Sequence, residues 1–196
     1  MSRTCTILAA VFVAASVTTA FAAENLPRMT PLKARDIRGT AHMLPEQKSR
    51  VTVLIFIAHD CPISNAYAPE IGRMAAEYGR RGVSFNLVYA EPGLTDGKAA
   101  AHERAYAYNK IPAFTSSWRT LVRAAGITTT PEAIALSPDG TILYRGRIND
   151  QYADLGVRRS RSTSADLAAA LDDILAGKAV RTAQTKAIGC YVSANG

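Results

Sequence analysis

The run VTVLIFIA at residues 51–58 is the feature that most constrains the fold of this chain. It is continuous, apolar and rich in β-branched residues, which is typical of a strand buried on both faces of a sheet. Directly after it comes HDCPIS, in which Pro62 suits a first helical turn because proline lacks the N–H that has no partner there. The sequence therefore predicts a central strand that leads straight into a helix, with Cys61 at the junction.

The residues that follow Cys61 predict a helix and then a second strand. Apolar residues recur at spacings of three and four and mark one helical face, namely Ile63, Tyr67, Ile71, Met74 and Tyr78. Pro69 predicts a kink in this helix, and Gly82 ends it. The stretch VSFNLVYA at 83–90 alternates between apolar and polar residues as a strand does. Strand, helix and strand at this spacing form a βαβ unit.

The second half of the chain predicts helices, a hairpin and a last helix. Two short helical stretches, KAAAHERAYAY and SSWRTLVRAAG, precede EAIALSPDGTILYRGRI, whose SPDG turn joins two strands that must be antiparallel. STSADLAAALDDILAG is an amphipathic helix with Ser/Thr capping residues at its start and Gly177 at its end. This order predicts an α/β, thioredoxin-like fold, in which helices flank a central mixed sheet and the active site lies where the first buried strand meets its helix.

The two ends of the chain differ in composition from the central domain. Residues 1–22 have the charged start, apolar core and small-residue end of a signal peptide, with cleavage expected after Ala22; an uncleaved anchor is the alternative. Residues 23–50 are a polar lead-in with one short edge strand, 51–177 are the domain, and 178–196 are an extended tail. We expect a periplasmic or secreted protein without stable membrane insertion after cleavage.

The cysteines indicate reactivity more than bulk stability. Cys5 leaves with the signal peptide, so the mature chain holds Cys61 and Cys190, which permit one intramolecular pairing. At a helix start, backbone N–H groups and the helix dipole favour an anion, which lowers a thiol pKa from about 8.5. Asp60 opposes this effect because it adds a negative charge beside Cys61. The alternative for Cys61 is an inert buried cysteine.

Four features together resemble the peroxiredoxin-like (redoxin, AhpC/TSA-related) branch of the thioredoxin superfamily over roughly residues 30–192. They are the Cys-Pro after the buried strand, TTTPEAIALSPDGTILYRGRIND, DLAAALDDILAGKAV and the closing QTKAIGC. The resemblance implies a thioredoxin fold and a redox cysteine at Cys61. It also implies that Pro131, after Thr130, is a cis-proline that faces this cysteine and shapes a groove for an extended partner segment.

The chain departs from the relatives it resembles at three positions. Ser64 stands where thioredoxins carry a second cysteine. Ala58 and Leu54 stand where peroxiredoxins carry a threonine and a proline ahead of the peroxide-reactive cysteine. Without the hydroxyl that orients peroxide, we expect peroxide reduction of low efficiency.

The sequence therefore predicts an exported thiol-dependent oxidoreductase that exchanges thiols and disulfides or reduces peroxide weakly. Cys61 is the expected nucleophile, and its partners are a thiol- or disulfide-bearing protein or a small peroxide. Cys190 is the candidate resolving cysteine. It could instead form a static disulfide that pins the tail, or remain a free thiol far from Cys61.

Two further classes of function stay open. His59, two residues before Cys61 and on the same side of a strand, and Arg147 are expected to modulate the thiol pKa. His59 and Cys61 also permit a copper site of the kind found in Sco-type copper carriers, although no cofactor is expected otherwise. A non-catalytic binding module is the third class. The net charge is +7, but export and the absence of interleaved aromatic residues argue against nucleic acid. We expect a solvated basic face at Arg145, Arg147, Arg158, Arg159 and Arg161.

Overall fold

The computed structural model describes residues 26–108 and 110–193. The predicted signal peptide at 1–22, its cleavage site after Ala22 and Cys5 lie outside the described residues. Among the helices that are described, none combines the length and the hydropathy needed to cross a bilayer.

The helices and strands that the sequence predicts occur in the predicted order, and further short strands lie between and after them. Within the described residues the strands are β1 (Leu32–Arg35), β2 (Ala41–Leu44), β3 (Val51–Ile57), β4 (Val83–Tyr89), β5 (Ala113–Phe114), β6 (Thr129–Thr130), β7 (Glu132–Leu136), β8 (Ile142–Gly146), β9 (Tyr152–Asp154), β10 (Val157–Arg158) and β11 (Cys190–Tyr191). The helices are α1 (Pro62–Ala66), α2 (Ala68–Gly79), α3 (Asp96–Ala105), α4 (Trp118–Ala125) and α5 (Asp166–Leu175).

A five-stranded mixed sheet with the strand order β5-β4-β3-β7-β8 forms the centre of the molecule. Strand β3 runs parallel to β4, where Ile55 lies opposite Leu87, and antiparallel to β7, where Ile55 lies opposite Ala133. The hairpin predicted around SPDG is present as β7 and β8, which are antiparallel. The predicted mixed sheet is therefore confirmed.

Strand β3 is buried along its whole length because helices cover both faces of the sheet. Alternate side chains such as Val53 and Ile55 belong to one apolar cluster with Ile71 of α2 and Leu167 of α5. The intervening side chains, such as Phe56, belong to a second cluster with α4. Full burial of one such side chain contributes about 1.5–3 kcal/mol to folding, so β3 is held firmly from both sides. Its C-terminal end is therefore a fixed point for the residues that follow.

The helix predicted after Cys61 is divided in two at Tyr67. Helix α1 ends at Ala66 and α2 begins at Ala68, which places Pro69 in the first turn of α2. A proline in a first turn removes no hydrogen bond, because the N–H groups there have no partner within the helix. The chain therefore accommodates Pro69 by starting a new helix.

The lead-in before residue 51 contains two strands, whereas one short edge strand was expected. β1 and β2 form an antiparallel hairpin with Leu32 opposite Leu44. The carboxylate of Asp36 closes its turn, since it accepts hydrogen bonds from the N–H groups of Arg38 at 2.9 Å and Thr40 at 2.8 Å. The prediction missed this hairpin because its strands are four residues long and only one residue of each is buried.

The Ser/Thr residues predicted to cap α5 have another partner. Ala165 precedes the helix and provides no side-chain cap. The carboxylate of Asp150 instead accepts hydrogen bonds from the Ser162 hydroxyl and from the N–H groups of Thr163 and Ser164, at 2.7–2.9 Å. The polar residues before α5 therefore anchor a preceding loop, and the prediction of a side-chain cap was wrong.

The tail beyond residue 177 lies against the domain. The N–H of Arg145 donates to the carbonyl of Ala183 at 2.9 Å, and the N–H of Thr185 donates back to Arg145 at 3.0 Å. Gly146 has φ of +148°, and a β-carbon there would overlap the backbone of Thr185, so only glycine fits this crossing. The tail then continues to β11, which pairs with β6.

Candidate redox site

Cys61 occupies the junction between the central strand and α1. It is the residue that precedes the first turn of α1, with φ −81° and ψ 111°, and its Sγ accepts a hydrogen bond from the N–H of Ser64 at 3.5 Å. Its side chain is buried. The apolar burial of β3 fixes the strand end, and Pro62 starts the helix, so the sequence determines this position locally.

Cys61 and Cys190 form a disulfide across 129 residues, with their Cα atoms 6.1 Å apart. The structure therefore brings together the two cysteines that sequence reasoning singled out. The hypothesis that Cys190 is a free thiol far from Cys61 is wrong. A redox-active bond and a static bond share the observed geometry, and their difference lies in how readily the bond opens.

The segment that precedes Pro131 faces the disulfide. The Thr130–Pro131 peptide bond is cis, as the resemblance implied. The carbonyl oxygen of Thr130 lies 3.4 Å from the Sγ of Cys61, and the residue is buried. Cys61 therefore has the backbone of its own helix on one side and that of the cis-proline segment on the other.

The tail strand β11 lies along this cis-proline segment. Cys190 is opposite Thr130 and Tyr191 is opposite Thr129, in antiparallel register. The N–H of Val192 donates to the carbonyl of Thr128 at 2.9 Å, and the side chain of Val192 is buried in the same cluster as α4. The disulfide therefore joins Cys61 to a tail that backbone hydrogen bonds also hold in place.

His59 faces Glu91 at the end of the neighbouring strand. Its backbone N–H donates to one carboxylate oxygen of Glu91 at 3.0 Å, and its Nδ1 lies 2.8 Å from the other. The expectation that strand geometry places His59 and Cys61 on one side is wrong, because β3 ends at Ile57 and both residues lie beyond it. The predicted influence of His59 on the thiol stays a prediction.

A buried polar chain behind α1 escaped the sequence prediction. His102 Nε2 lies 2.9 Å from Oδ1 of Asn65, and its Nδ1 lies 2.9 Å from the hydroxyl of Tyr89. Asn65 in turn donates to the carbonyl of His59 at 3.0 Å. Burial, and then the charge of His59, lowers the pKa of His102 below its ordinary value of 6.5. These residues lie far apart in sequence, so no local pattern indicates the contact.

The arginine predicted to modulate the thiol has a carboxylate partner of its own. Arg147 lies directly after β8, and its Nε donates to Asp166 at the start of α5 at 2.8 Å. The hydrogen bond from Arg147 to Asp166 raises the pKa of Arg147 above its usual range. Arg147 therefore joins β8 to α5, and its predicted role at the thiol stays a prediction.

The predicted basic face is partly neutralised. Arg145 forms an ion pair with the buried Glu132 at 2.9 Å, and Arg159 lies 3.7 Å from Asp150. With Arg147, three of the five arginines are thus paired, while Arg158, Arg159 and Arg161 are exposed to solvent, so most of the predicted basic face is solvated. Acidic partners elsewhere in the chain provide this pairing, which the clustering of arginines in sequence conceals.

One group of possible metal ligands lies beside the cysteine. One ligand atom from each of His59, Asp60 and Glu91 lies within 4.8 Å of the others. Cys61 does not belong to this group, and its sulfur is bonded to Cys190. A copper site of His59 with Cys61, which the sequence allowed, would require the reduced cysteine.

Comparison with known proteins identifies the fold through solved structures. No family model matches this chain, and none of the curated proteins compared with it is detectably similar in sequence. A hypothetical protein from Sinorhizobium meliloti is 25% identical, with a TM-score of 0.74 over 87% of this chain and 94% of that chain. An uncharacterized conserved protein from Geobacillus kaustophilus is 23% identical, with a TM-score of 0.73 over 87% and 93%.

A further similar structure has a described activity. It is a secreted disulfide oxidoreductase of Mycobacterium tuberculosis that is homologous to DsbE of E. coli. It is 18% identical to this chain, with a TM-score of 0.52 over 74% of this chain and 95% of that chain. This likeness shows the fold, and the chain has the thioredoxin fold with a mixed central sheet flanked by helices. Membership of the peroxiredoxin-like branch stays a prediction.

Proposed function

We propose that this protein is an exported thiol-disulfide oxidoreductase in which Cys61 is the nucleophile and Cys190 the resolving cysteine. The observation that carries the proposal is the disulfide between Cys61, at the start of α1, and Cys190, held beside the cis-proline segment. The activity and secretion of the similar oxidoreductase from Mycobacterium tuberculosis support the same function.

The backbone around Cys61 favours a thiolate once the disulfide is open. The N–H of Ser64 points at the sulfur and would donate to the anion. Helix α1 has only five residues, so its dipole is small and the nearby Ser64 N–H contributes more to stabilising the anion than this dipole does. Burial of the sulfur opposes its ionisation, because a buried charge loses contact with water. The hydrogen bond from the Ser64 N–H offsets part of this cost.

The proposed reaction is a pair of thiol-disulfide exchanges. The Cys61 thiolate attacks one sulfur of a partner disulfide, forms a mixed disulfide and releases the other partner sulfur as a thiolate. The Cys190 thiolate then attacks the Cys61 sulfur, which forms the Cys61–Cys190 bond and releases the second partner thiolate. The partner gains two electrons and this protein loses them; the reverse sequence oxidises a partner dithiol.

Peroxide is a second electron acceptor for the same cysteines. The Cys61 thiolate would attack the peroxide, leaving a sulfenic acid and releasing water or an alcohol, and Cys190 would condense with it to form the disulfide and water. Ala58 and Leu54, which replace the hydroxyl-bearing and proline positions of peroxiredoxins, are both buried and apolar. We therefore propose that peroxide reduction is slow beside disulfide exchange.

Reduction of a protein disulfide by variants of the two cysteines tests the proposal. Cys61→Ser should abolish exchange, whereas Cys190→Ser should retain the first step and accumulate a mixed disulfide on Cys61, detected by mass spectrometry. Tyr191→Phe, which changes an exposed neighbour of Cys190, is the matched control and should behave as wild type. Exchange by Cys61→Ser at the wild-type rate would contradict the proposal.

Metal binding is a second candidate function, favoured by the His59, Asp60 and Glu91 group. Imidazole and carboxylate ligands suit Zn²⁺ or Cu²⁺, and reduced Cys61 nearby would add a soft ligand for Cu⁺. Calorimetric titration of the oxidised and reduced protein with each ion tests this function. Stoichiometric binding that His59→Ala removes would support it, and unchanged binding in that variant would contradict it.

A further inference from the structure

The tail shows how an extended chain is seated when its cysteine is bonded to Cys61. Residues 190 and 191 run antiparallel to residues 130 and 129. The N–H of Val192 donates to Thr128, and the hydroxyl of Thr130 lies 3.5 Å from the carbonyl of Cys190. A partner cysteine in a mixed disulfide would form the same bond to Cys61 that Cys190 forms here.

The position before the bonded cysteine has no room for a side chain. A β-carbon on Gly189 would overlap the carbonyl oxygen of Thr130 and would lie 3.2 Å from Cδ of Pro131. The obstructing atoms are backbone atoms of a buried residue followed by a proline, so they do not move aside as the end of a flexible side chain does. The same carbonyl oxygen lies 3.4 Å from the Cys61 sulfur, which ties the obstruction to the reacting atom.

The two positions after the bonded cysteine differ from each other. The side chain of Tyr191 is 83% exposed, so this position places no demand on its residue. Val192 is 5% exposed and packs in the apolar cluster that contains Ile127 and residues of α4. The strand pairing alternates accordingly, with an open position followed by an apolar one.

We propose that Cys61 selects partner cysteines that are preceded by glycine and followed, two residues on, by an apolar residue. This selectivity rests on the proposed function, and it names its substrate class as extended segments with the pattern Gly-Cys-any-apolar. The carbonyl of Thr130 excludes residues larger than glycine before the partner cysteine. The apolar cluster that holds Val192 would bind the residue two positions after that cysteine. The protein's own tail, Gly189 to Val192, has this pattern, and it competes with a partner for pairing with the cis-proline segment.

The selected step is a single exchange. The Cys61 thiolate attacks the partner's cysteine sulfur, the Cys61–partner S–S bond forms, and the bond from that sulfur to its former partner breaks. The electron pair of the broken bond leaves with the second sulfur as a thiolate. The steric limit acts here because the attacked sulfur must reach Cys61 while its backbone lies beside Thr130.

Exchange with short peptide disulfides tests the selectivity. The reduced full chain would be mixed with the peptides Gly-Cys-Tyr-Val, Ala-Cys-Tyr-Val, Val-Cys-Tyr-Val, Gly-Cys-Ala-Val and Gly-Cys-Tyr-Ser, each as a mixed disulfide with thionitrobenzoate. The initial rate of thionitrobenzoate release measures the attack, and mass spectrometry identifies the Cys61–peptide adduct in Cys190→Ser. We expect the Ala-Cys, Val-Cys and Gly-Cys-Tyr-Ser peptides to react more slowly than Gly-Cys-Tyr-Val, the first two by roughly tenfold or more. The Gly-Cys-Ala-Val peptide should react within about twofold of Gly-Cys-Tyr-Val.

Each outcome of this test bears on one level of the proposal. Equal rates for the Gly-Cys, Ala-Cys and Val-Cys peptides, with adducts on Cys61, would overturn the selectivity and leave the oxidoreductase function standing. If the reduced chain reacts neither with these peptides nor with dithiobis(nitrobenzoate), the proposed oxidoreductase function itself is overturned. The Gly189→Ala variant provides a second test, because it should weaken the pairing of the tail with the segment before Pro131. Reduced Gly189→Ala should therefore react with Gly-Cys-Tyr-Val faster than reduced wild type does. A slower reaction would contradict the proposal that partners bind along the path of the tail.

Discussion

Gly189 and Thr130 lie in backbone contact, with no space for a β-carbon between them. This contact allows β11 to lie against the cis-proline segment and brings Cys190 to Cys61. Gly189→Ala should therefore weaken the tail pairing by about 1–3 kcal/mol, the usual cost of overpacking. Because that cost falls on the oxidised state, the disulfide should be easier to reduce in a glutathione redox titration.

Gly72→Ala is the matched control for this substitution. Gly72 lies in α2, where a β-carbon would meet nothing within 4 Å, so alanine should be neutral or stabilise the helix by up to about 1 kcal/mol. Equal reduction midpoints for Gly189→Ala and Gly72→Ala would show that the Gly189 contact does not govern the bond.

Loss of the disulfide should lower the free energy of unfolding. The bond joins residues 129 positions apart, and cross-links of this kind stabilise proteins by ~2–5 kcal/mol, chiefly by restricting the unfolded chain. Cys190→Ser should show this loss in urea denaturation, with the Val192 anchor retained. Cys61→Ser and the double variant should lose no more free energy of unfolding than Cys190→Ser, since each of the three removes the same bond. A double variant whose loss equals the sum of the two single losses would be inconsistent with this account.

The hydroxyl of Tyr67 should stabilise the junction between α1 and α2. It donates to Oδ1 of Asn149 at 2.8 Å in a buried setting, and burial raises its pKa to about 12. Tyr67→Phe leaves the Asn149 oxygen without this donor, which should cost about 1–2 kcal/mol in chemical denaturation. Tyr191→Phe removes an exposed hydroxyl and should stay within about 0.5 kcal/mol of wild type. Similar values for the two variants would refute the assigned role.

Acidification should destabilise the protein through His102. Burial, and then the charge of His59, holds the pKa of His102 below 6.5, so the folded state favours the neutral ring. The unfolded state therefore binds more protons in the window from 6.5 down to the lowered pKa. The stability that neutral His102 confers is complete above pH 6.5 and is lost as the pH falls through that window.

His102→Gln provides the comparison for this pH dependence. Glutamine cannot titrate, so the difference in stability between wild type and the variant should be constant above about pH 7 and shrink as the pH falls. Urea denaturation from about pH 5 to about pH 8 measures the difference. A difference that stays the same over the whole range would rule out His102 as the source.

The central strand and its cysteine were predictable because their signals are local. VTVLIFIA is apolar throughout apart from one threonine, and Pro62 marks the helix start, so Cys61 could be assigned to the junction from neighbouring residues alone. The hairpin of β7 and β8 followed from its SPDG turn for the same reason. Pro69 likewise indicated that the helix is interrupted nearby, and the interruption lies two residues earlier, at Tyr67.

The remainder of the site depends on contacts between distant residues. His59 meets Glu91 across 32 residues, and Cys190 meets Thr130 across 60, which no periodicity in the tail indicates. Capping at α5 failed as a prediction because Asp150, earlier in the chain, competes for the same Ser and Thr groups. Glycine before Cys190 was visible in the sequence, but its reason lies in the Thr130 backbone.

Thiol trapping of the protein isolated from an oxidising compartment tests the central claim most directly. Free thiols would be alkylated, and the protein analysed by mass spectrometry, before reduction, after mild reduction, and after addition of one equivalent of a disulfide or a peroxide. The account predicts a Cys61–Cys190 bond that mild reductant opens and either oxidant reforms. Two free thiols that ignore both oxidants, or a bond that opens only when the protein is unfolded, would contradict it.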